Sequence, residues 1–185
     1  EKDYGPEEPS RAARGLVEEH MAVSCPIFQL GCKGDAPERG EAGLRQELLG
    51  DLACEVLLGT STPLYARLYR DGLLNRNFSY GYDSVPGCAF LAAGGESRDP
   101  EAVRDAVAAE AARIAREGVD PTLWERVKKG VYGSRVRSLN SSETLCIGQA
   151  QSFFSGSDLL RFPEVFRQIA REDVEALIAR WVIPE

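Results

Sequence analysis

Histidine is almost missing from this chain: His20 is the only one among 185 residues. A zinc-protease motif of the H-x-x-E-H kind needs two imidazoles one helical turn apart with a carboxylate base, so counting alone excludes it here. A Cys–His dyad would have to be built on His20, and nothing in the sequence places a thiol beside it. Basic runs are lacking too. A net charge of -7 and a pI near 4.9 exclude the cationic clusters with which nucleic-acid-binding surfaces neutralise phosphates. No stretch approaches the roughly 20 consecutive apolar residues that span a bilayer, and the polar start EKDYGPEEPSR does not read as a signal peptide. G-x-S-x-G, P-loop and C-x-x-C patterns are all absent, which removes the serine-hydrolase elbow, the phosphate cradle, the zinc knuckle and the thioredoxin-like couple.

What is present is an ordinary globular composition, 43% hydrophobic, enough for one large domain or two small ones with a real core. Cys25, Cys32, Cys54, Cys88 and Cys146 are odd in number and widely spaced. They read as reduced thiols used as small hydrophobes, which suits a reducing cytoplasm, with a Cys25–Cys32 bridge across a hairpin as the lesser alternative. Residues 1–14 combine Gly5, Pro6, Pro9 and four acidic side chains with almost no apolar content, and read as a hinge or linker arm. Residues 15–185 then form a single domain.

Two strands are predicted first, over residues 16–24 and 26–32, with Val17, Met21 and Val23 on one face and Phe28, Leu30 and Cys32 on one face of the second. On the first, Glu18, Glu19 and His20 would alternate as solvated polar residues. A long helix over residues 41–58 carries Leu44, Leu48, Leu52 and Val56 at every fourth position, with Gly59 as its stop and Arg45, Glu47, Asp51 and Glu55 on the wet side.

Residues 60–95, TSTPLYARLYRDGLLNRNFSYGYDSVPGCAFLAAGG, are the organising stretch. Ser61 or Thr62 can cap a helix that has Pro63 in its first turn and stops near Gly72. Two strands follow, over residues 78–82 and 88–93, joined by a turn at D-S-V-P-G and placing Phe78, Tyr80 and Tyr82 on one face. Tyr65, Tyr69, Tyr80 and Tyr82 could line a wet aromatic wall, although core packing explains at least two of them.

Asp99-Pro100-Glu101 and Asp120-Pro121-Thr122 start two further helices, Ser141-Ser142-Glu143 a third, and shorter helices lie near residues 163–169 and 173–181. In the second, Leu123, Trp124, Val127, Val131 and Val136 read as the buried face, with Lys128, Lys129, Arg135 and Arg137 on or near the solvent side. In the third, Leu145, Ile147, Ala150, Phe153 and Phe154 read as the apolar face. The order is strand, strand, helix, helix, strand, strand and then helices. That is an α+β domain, an antiparallel sheet covered by helices.

The motifs S-T-P-L-Y-A-R-L-Y-R-D-G-L, F-S-Y, the small-residue strand before D-P-E, G-V-D-P-T-L-W-E-R-V-K-K-G and A-R-E-D-V-E-A-L-I together resemble the C-terminal half of insulinase-like zinc metallopeptidases. This is the pitrilysin and mitochondrial-processing-peptidase superfamily, in its bacterial branch. The resemblance implies a two-layer half of a clamshell that closes around an unfolded peptide. It implies no catalytic or metal-binding residue and no cofactor in this chain, with zinc and the base in a missing N-terminal half, and the arm at residues 1–14 as part of the hinge.

Implied partners are that half or a homologous subunit and a peptide substrate, with no nucleic acid and no membrane. A homodimer of the isolated domain is an alternative, as is a non-proteolytic assembly or peptide-binding subunit of the same family. Relatives set an Arg and a Tyr from an L-R-x-x-G-L-x-Y pattern against the substrate carbonyl. Over residues 68–75 this chain has Tyr69 and Asn75 at those positions. The substrate-binding residues implied are therefore Arg70, one place further on, with Asn75 and Tyr80.

Overall fold

The computed structural model describes residues 9, 12–85 and 87–182. Its elements are β1 (Ile27–Gly34), α1 (Gly40–Leu58), α2 (Pro63–Arg70), β2 (Ser79–Val85), β3 (Cys88–Glu96), α3 (Pro100–Glu117), α4 (Pro121–Ser138), α5 (Ser142–Ser155), α6 (Phe162–Gln168) and α7 (Arg171–Val182). A single 3-10 turn, Leu159–Arg161, leads into α6.

The three strands form one antiparallel sheet in the order β1-β3-β2. Alternation sends Ala89, Leu91 and Ala93 of β3 into the core. Register places Leu30 and Tyr80 beside Ala93, and Cys32 and Tyr82 beside Leu91, on that same face. The face is covered by α1, whose Leu48, Leu52, Ala53, Val56 and Leu57 are buried. Helices α3, α4, α6 and α7 pack around α1, so one helical layer built on a central helix sits against one sheet. Each fully buried Leu or Val contributes about 1.5–3 kcal/mol relative to exposure, and α1 supplies the densest run of them.

Helix starts follow local chemistry closely. Thr62 accepts from the Tyr65 amide at 3.1 Å. Asp99, Asp120 and Ser141 do the same for Ala102, Leu123 and Thr144. Each satisfies an amide that the first turn cannot pair. Gly72 adopts φ 67° just past α2, where a side chain would be strained.

Several expectations need correction. Residues 16–24 form no strand: Leu16, Val17 and Met21 are 62%, 63% and 72% exposed, and among the described residues no partner strand lies alongside. Alternation alone does not make a strand when no neighbour accepts its backbone hydrogen bonds. His20 is exposed on this irregular segment rather than on a sheet. Sheet pairing begins at Ile27 and runs to Gly34.

In α5, Ile147, Phe153 and Phe154 are 52%, 74% and 77% exposed rather than buried. Val136 on α4 is exposed as well. Arg135 and Lys128, expected in solvent, are engaged: Arg135 in an ion pair with Glu47 and Asp51, and Lys128 by donating to the Ile169 carbonyl at 2.6 Å over the Trp124 ring. Asp51 and Glu55 are half-buried. All five cysteines carry free thiols, with Cys54 buried and Cys146 exposed. Of the polar arm, Pro9 and residues 12–14 are exposed, and the rest lies outside the described residues, as does Pro86 of the hairpin turn. Among the described residues no helix is long and apolar enough to cross a membrane.

Candidate functional site

Among the described residues no helix packs on one face of the sheet, and the register determines what that face presents. Three cross-strand rows run over it: Gln29, Gly94 and Ser79; Gly31, Ala92 and Gly81; Lys33, Phe90 and Asp83. Alternation puts all nine opposite the core-facing set. The middle row carries nothing larger than a methyl group. A Cβ built on Gly31 or Gly81 would meet no atom within 4 Å, so neither glycine is required by packing. Both have ordinary φ, since the positive-φ glycines are Gly40, Gly72, Gly87, Gly118 and Gly156. The result is a smooth strip, flanked by polar and aromatic side chains, on which an extended polypeptide can lie flat.

Residues 60–95 supply two of the sheet's three strands, whereas α2 packs against α1 and α3 of the helical layer. Arg70 closes α2 with a largely exposed side chain, 3.7 Å from Asp71. Asn75 is held in the loop before β2, donating from Nδ2 to Glu96 Oε2 at 2.8 Å while its Oδ1 accepts from the Asn77 amide at 2.8 Å. Tyr80 turns the other way, toward α1, and donates its hydroxyl to Glu55 Oε1 at 3.2 Å. Arg70, Asn75 and Tyr80 thus have three separate sets of partners and do not form one cluster. Tyr69, at the family's arginine position, is partly exposed and stacks on Tyr65 at 5.8 Å; Tyr65 meets Phe78, which meets Tyr80 and Phe28. The expected aromatic wall is therefore a ladder that starts wet at Tyr69 and ends in the core at Phe28.

Behind β2, a cleft of about 450 Å³ separates α1 from α4 and is lined by Asp51, Glu55, Tyr80 and Arg135. Burial lifts the Glu55 carboxyl above its ordinary 4.5, helped by the Asp51 charge and opposed by the Tyr80 hydrogen bond. The Tyr80 hydroxyl is pushed up to about 12, first by burial and then by the neighbouring Glu55 charge. Burial also raises the Cys54 thiol, so it is inert as a nucleophile at neutral pH. The cleft holds a carboxylate–guanidinium tie and a carboxylate–phenol hydrogen bond, and among the described residues no hydrogen bond joins its Cys54, Ser61 or Ser134 side chain to a carboxylate. Among the described residues no three His, Cys, Asp or Glu side chains come together to hold a metal ion, so zinc has no fit on them.

Sequence reasoning named neither the glycine row nor the Arg135 tie. A signal for the first was present, because glycine inside a strand pattern marks a place where something approaches the backbone.

The chain resembles several known proteins at this level of detail. It is 29% identical over 159 residues to YmfH, an uncharacterised zinc protease of Bacillus subtilis, covering 85% of this chain and 37% of that protein. It therefore spans well under half the length of that relative. An M16-like peptidase from Alicyclobacillus acidocaldarius superposes with a TM-score of 0.81 at 21% identity, over 86% of this chain and 38% of that one. The inactive peptidase domain of a zinc protease from Bordetella parapertussis superposes with a TM-score of 0.68 at 14% identity, over 87% of both chains. The model of the family described as the peptidase M16 inactive domain matches residues 2–131, and the chain belongs to that family.

Proposed function

We propose that this chain is the C-terminal, non-metal-binding half of a zinc-dependent peptidase and that its open sheet face forms part of the wall enclosing a peptide. The observation that carries this reading is the bare Gly31–Ala92–Gly81 row on the one sheet face left without helices. It gains support from the likeness to part of a zinc protease and from membership of a family whose domain is described as inactive. Zinc and the base belong, on this reading, to an N-terminal half outside this chain. The arm at residues 1–14 belongs to the hinge between the halves. Substrate contact falls first on Arg70, which is exposed; Asn75 and Tyr80 would reach a substrate only by leaving Glu96 and Glu55. A reducing compartment, the cytoplasm, fits five unbridged thiols.

The experiment is peptide cleavage by the protein carrying both halves, with Gly31→Phe and Gly81→Phe introduced singly. A Cβ at either position meets no atom within 4 Å, so unchanged circular dichroism with a large loss of cleavage is expected. Full cleavage by both variants, or stoichiometric zinc and proteolysis by this chain alone, would sink the reading. A second reading, a non-proteolytic subunit that binds or assembles, is favoured by Tyr69 and Asn75 standing where relatives carry Arg and Tyr. It predicts no cleavage by the joined halves and retained peptide binding.

A further inference from the structure

Between the helical layer and the edge strand β2 lies a groove of about 1160 Å³. It runs between the loop before α1, the tip of the β2–β3 hairpin, the end of α4 and the inner side of α5. At its far end the C-terminus of α5 is tied to the start of α1: Arg39 Nη2 donates to the Phe154 carbonyl at 3.2 Å. A Cβ on Gly40 would sit 3.5 Å from the Gly156 carbonyl oxygen, so the two backbones run close together there. The groove is thus a formed feature rather than a gap beside a loose helix.

Its lining combines two properties. Val85, Leu139, Ile147 and Phe154 give apolar surface, and Phe154 and Ile147 are among the most exposed large hydrophobics of the molecule. Helix α5 carries Glu143 as its one charged residue, which is unusual for a helix left facing water. Five carboxylates line the same groove against two arginines. Glu47 and Asp51 are taken by Arg135. Among the described residues no ion pair engages Glu38, Asp83 or Glu143, and with five carboxylates against Arg39 and Arg135 the lining carries a net negative charge around an apolar floor.

We propose that this groove docks a cationic, amphipathic segment of a polypeptide partner, its apolar side chains against Ile147 and Phe154 and its Lys or Arg residues at Glu38, Asp83 and Glu143. The volume exceeds the roughly 300–1,000 Å³ of small-molecule pockets, which favours a chain segment over a metabolite. Negative rim charge repels phosphates, so nucleic acid is disfavoured. A second copy of this chain, at net charge -7, is a poor electrostatic match. The groove meets the open sheet face along β2, at Asp83, and the proposal does not depend on the peptidase reading.

The test is fluorescence anisotropy on the purified chain with a labelled leucine–lysine amphipathic peptide and its leucine–glutamate counterpart. The lysine peptide should bind at least about tenfold more tightly, with the advantage shrinking as salt is raised. Asp83→Asn and Glu143→Gln keep shape and remove charge, and each should weaken the lysine peptide several-fold. Phe154→Ser, on an exposed side chain, should weaken both peptides without changing circular dichroism. Equal affinity for the two peptides, or binding indifferent to all three substitutions, overturns the proposal. Sedimentation showing a dimer that Phe154→Ser dissolves would assign the groove to a second copy instead, and also overturns it.

Discussion

Arg135→Met is the most informative single change to the helical layer. Arg135 Nη2 reaches Glu47 Oε1 at 2.6 Å and Asp51 Oδ2 at 2.5 Å, tying α4 to α1 across 84 residues of sequence. Methionine keeps much of the stem's packing and deletes the charge. Breaking a fully buried pair costs about 3–5 kcal/mol, and an exposed one about 0–1. Here the side chains of Arg135 and Asp51 are 21% and 32% exposed, with Glu47 at 48%, so the pair falls between those limits. A loss of about 2 kcal/mol follows, most of it from leaving Asp51 half-buried without a partner.

The pH dependence of that loss has a definite sign. Burial already holds the Asp51 carboxyl above its ordinary 3.8, while Arg135 pulls it down. Removing the guanidinium lets burial act unopposed, so the native variant binds its proton at still higher pH. A raised native value means stability is gained as pH falls through it, and the variant should close on the parent as the pH is lowered from neutral to mildly acidic, still above the ordinary carboxylate range. Urea unfolding at neutral and at mildly acidic pH measures this, with equal m-values confirming that the same transition is compared. A deficit under about 0.5 kcal/mol, or one that does not change with pH, would refute the argument. Adding Asp51→Asn should recover part of the loss, because no buried charge is then left unpaired.

Two further changes test other parts of the fold. Glu55→Gln keeps an acceptor for Tyr80 and removes a carboxylate whose native value is raised by burial. The parent should lose stability as pH rises through that value, and the variant should show a flatter profile by chemical denaturation; a steeper one would contradict the assignment. Gly34→Ala places a methyl 2.1 Å from the Trp181 ring, which is itself stacked on Tyr82 at 6.3 Å. Overpacking of this kind costs about 1–3 kcal/mol, a fall of roughly 2–12 °C in melting temperature for a chain of this size. An unchanged calorimetric midpoint would mean that Trp181 moves freely.

Legibility in the sequence tracked how local the cause was. Asp99, Asp120 and Ser141 announced their helices because a cap acts on an amide three residues away. The fourfold repeat of α1 was readable because one face of one helix meets the whole core. Residues 16–24 alternate as a strand would, yet no neighbouring edge accepts them, and pairing cannot be read from one segment. Helix α5 was readable as a helix but not as an exposed one, since its apolar period is that of a buried helix and only tertiary placement leaves Phe153 and Phe154 uncovered. The same holds for the candidate site. Gly31 and Gly81 are 50 residues apart and become one row only because both register against Ala92.

The strand order β1-β3-β2 has its own consequence for how the sheet opens. Among the described residues only β3 is paired along both edges, whereas β1 and β2 each leave every second amide facing outward. In deuterium exchange, amides along β3 should therefore persist longest, and β1 and β2 should show an alternating fast and slow pattern. Anything that later adds a strand to either edge would slow the outward amides of that strand alone, so exchange would identify which edge had been taken.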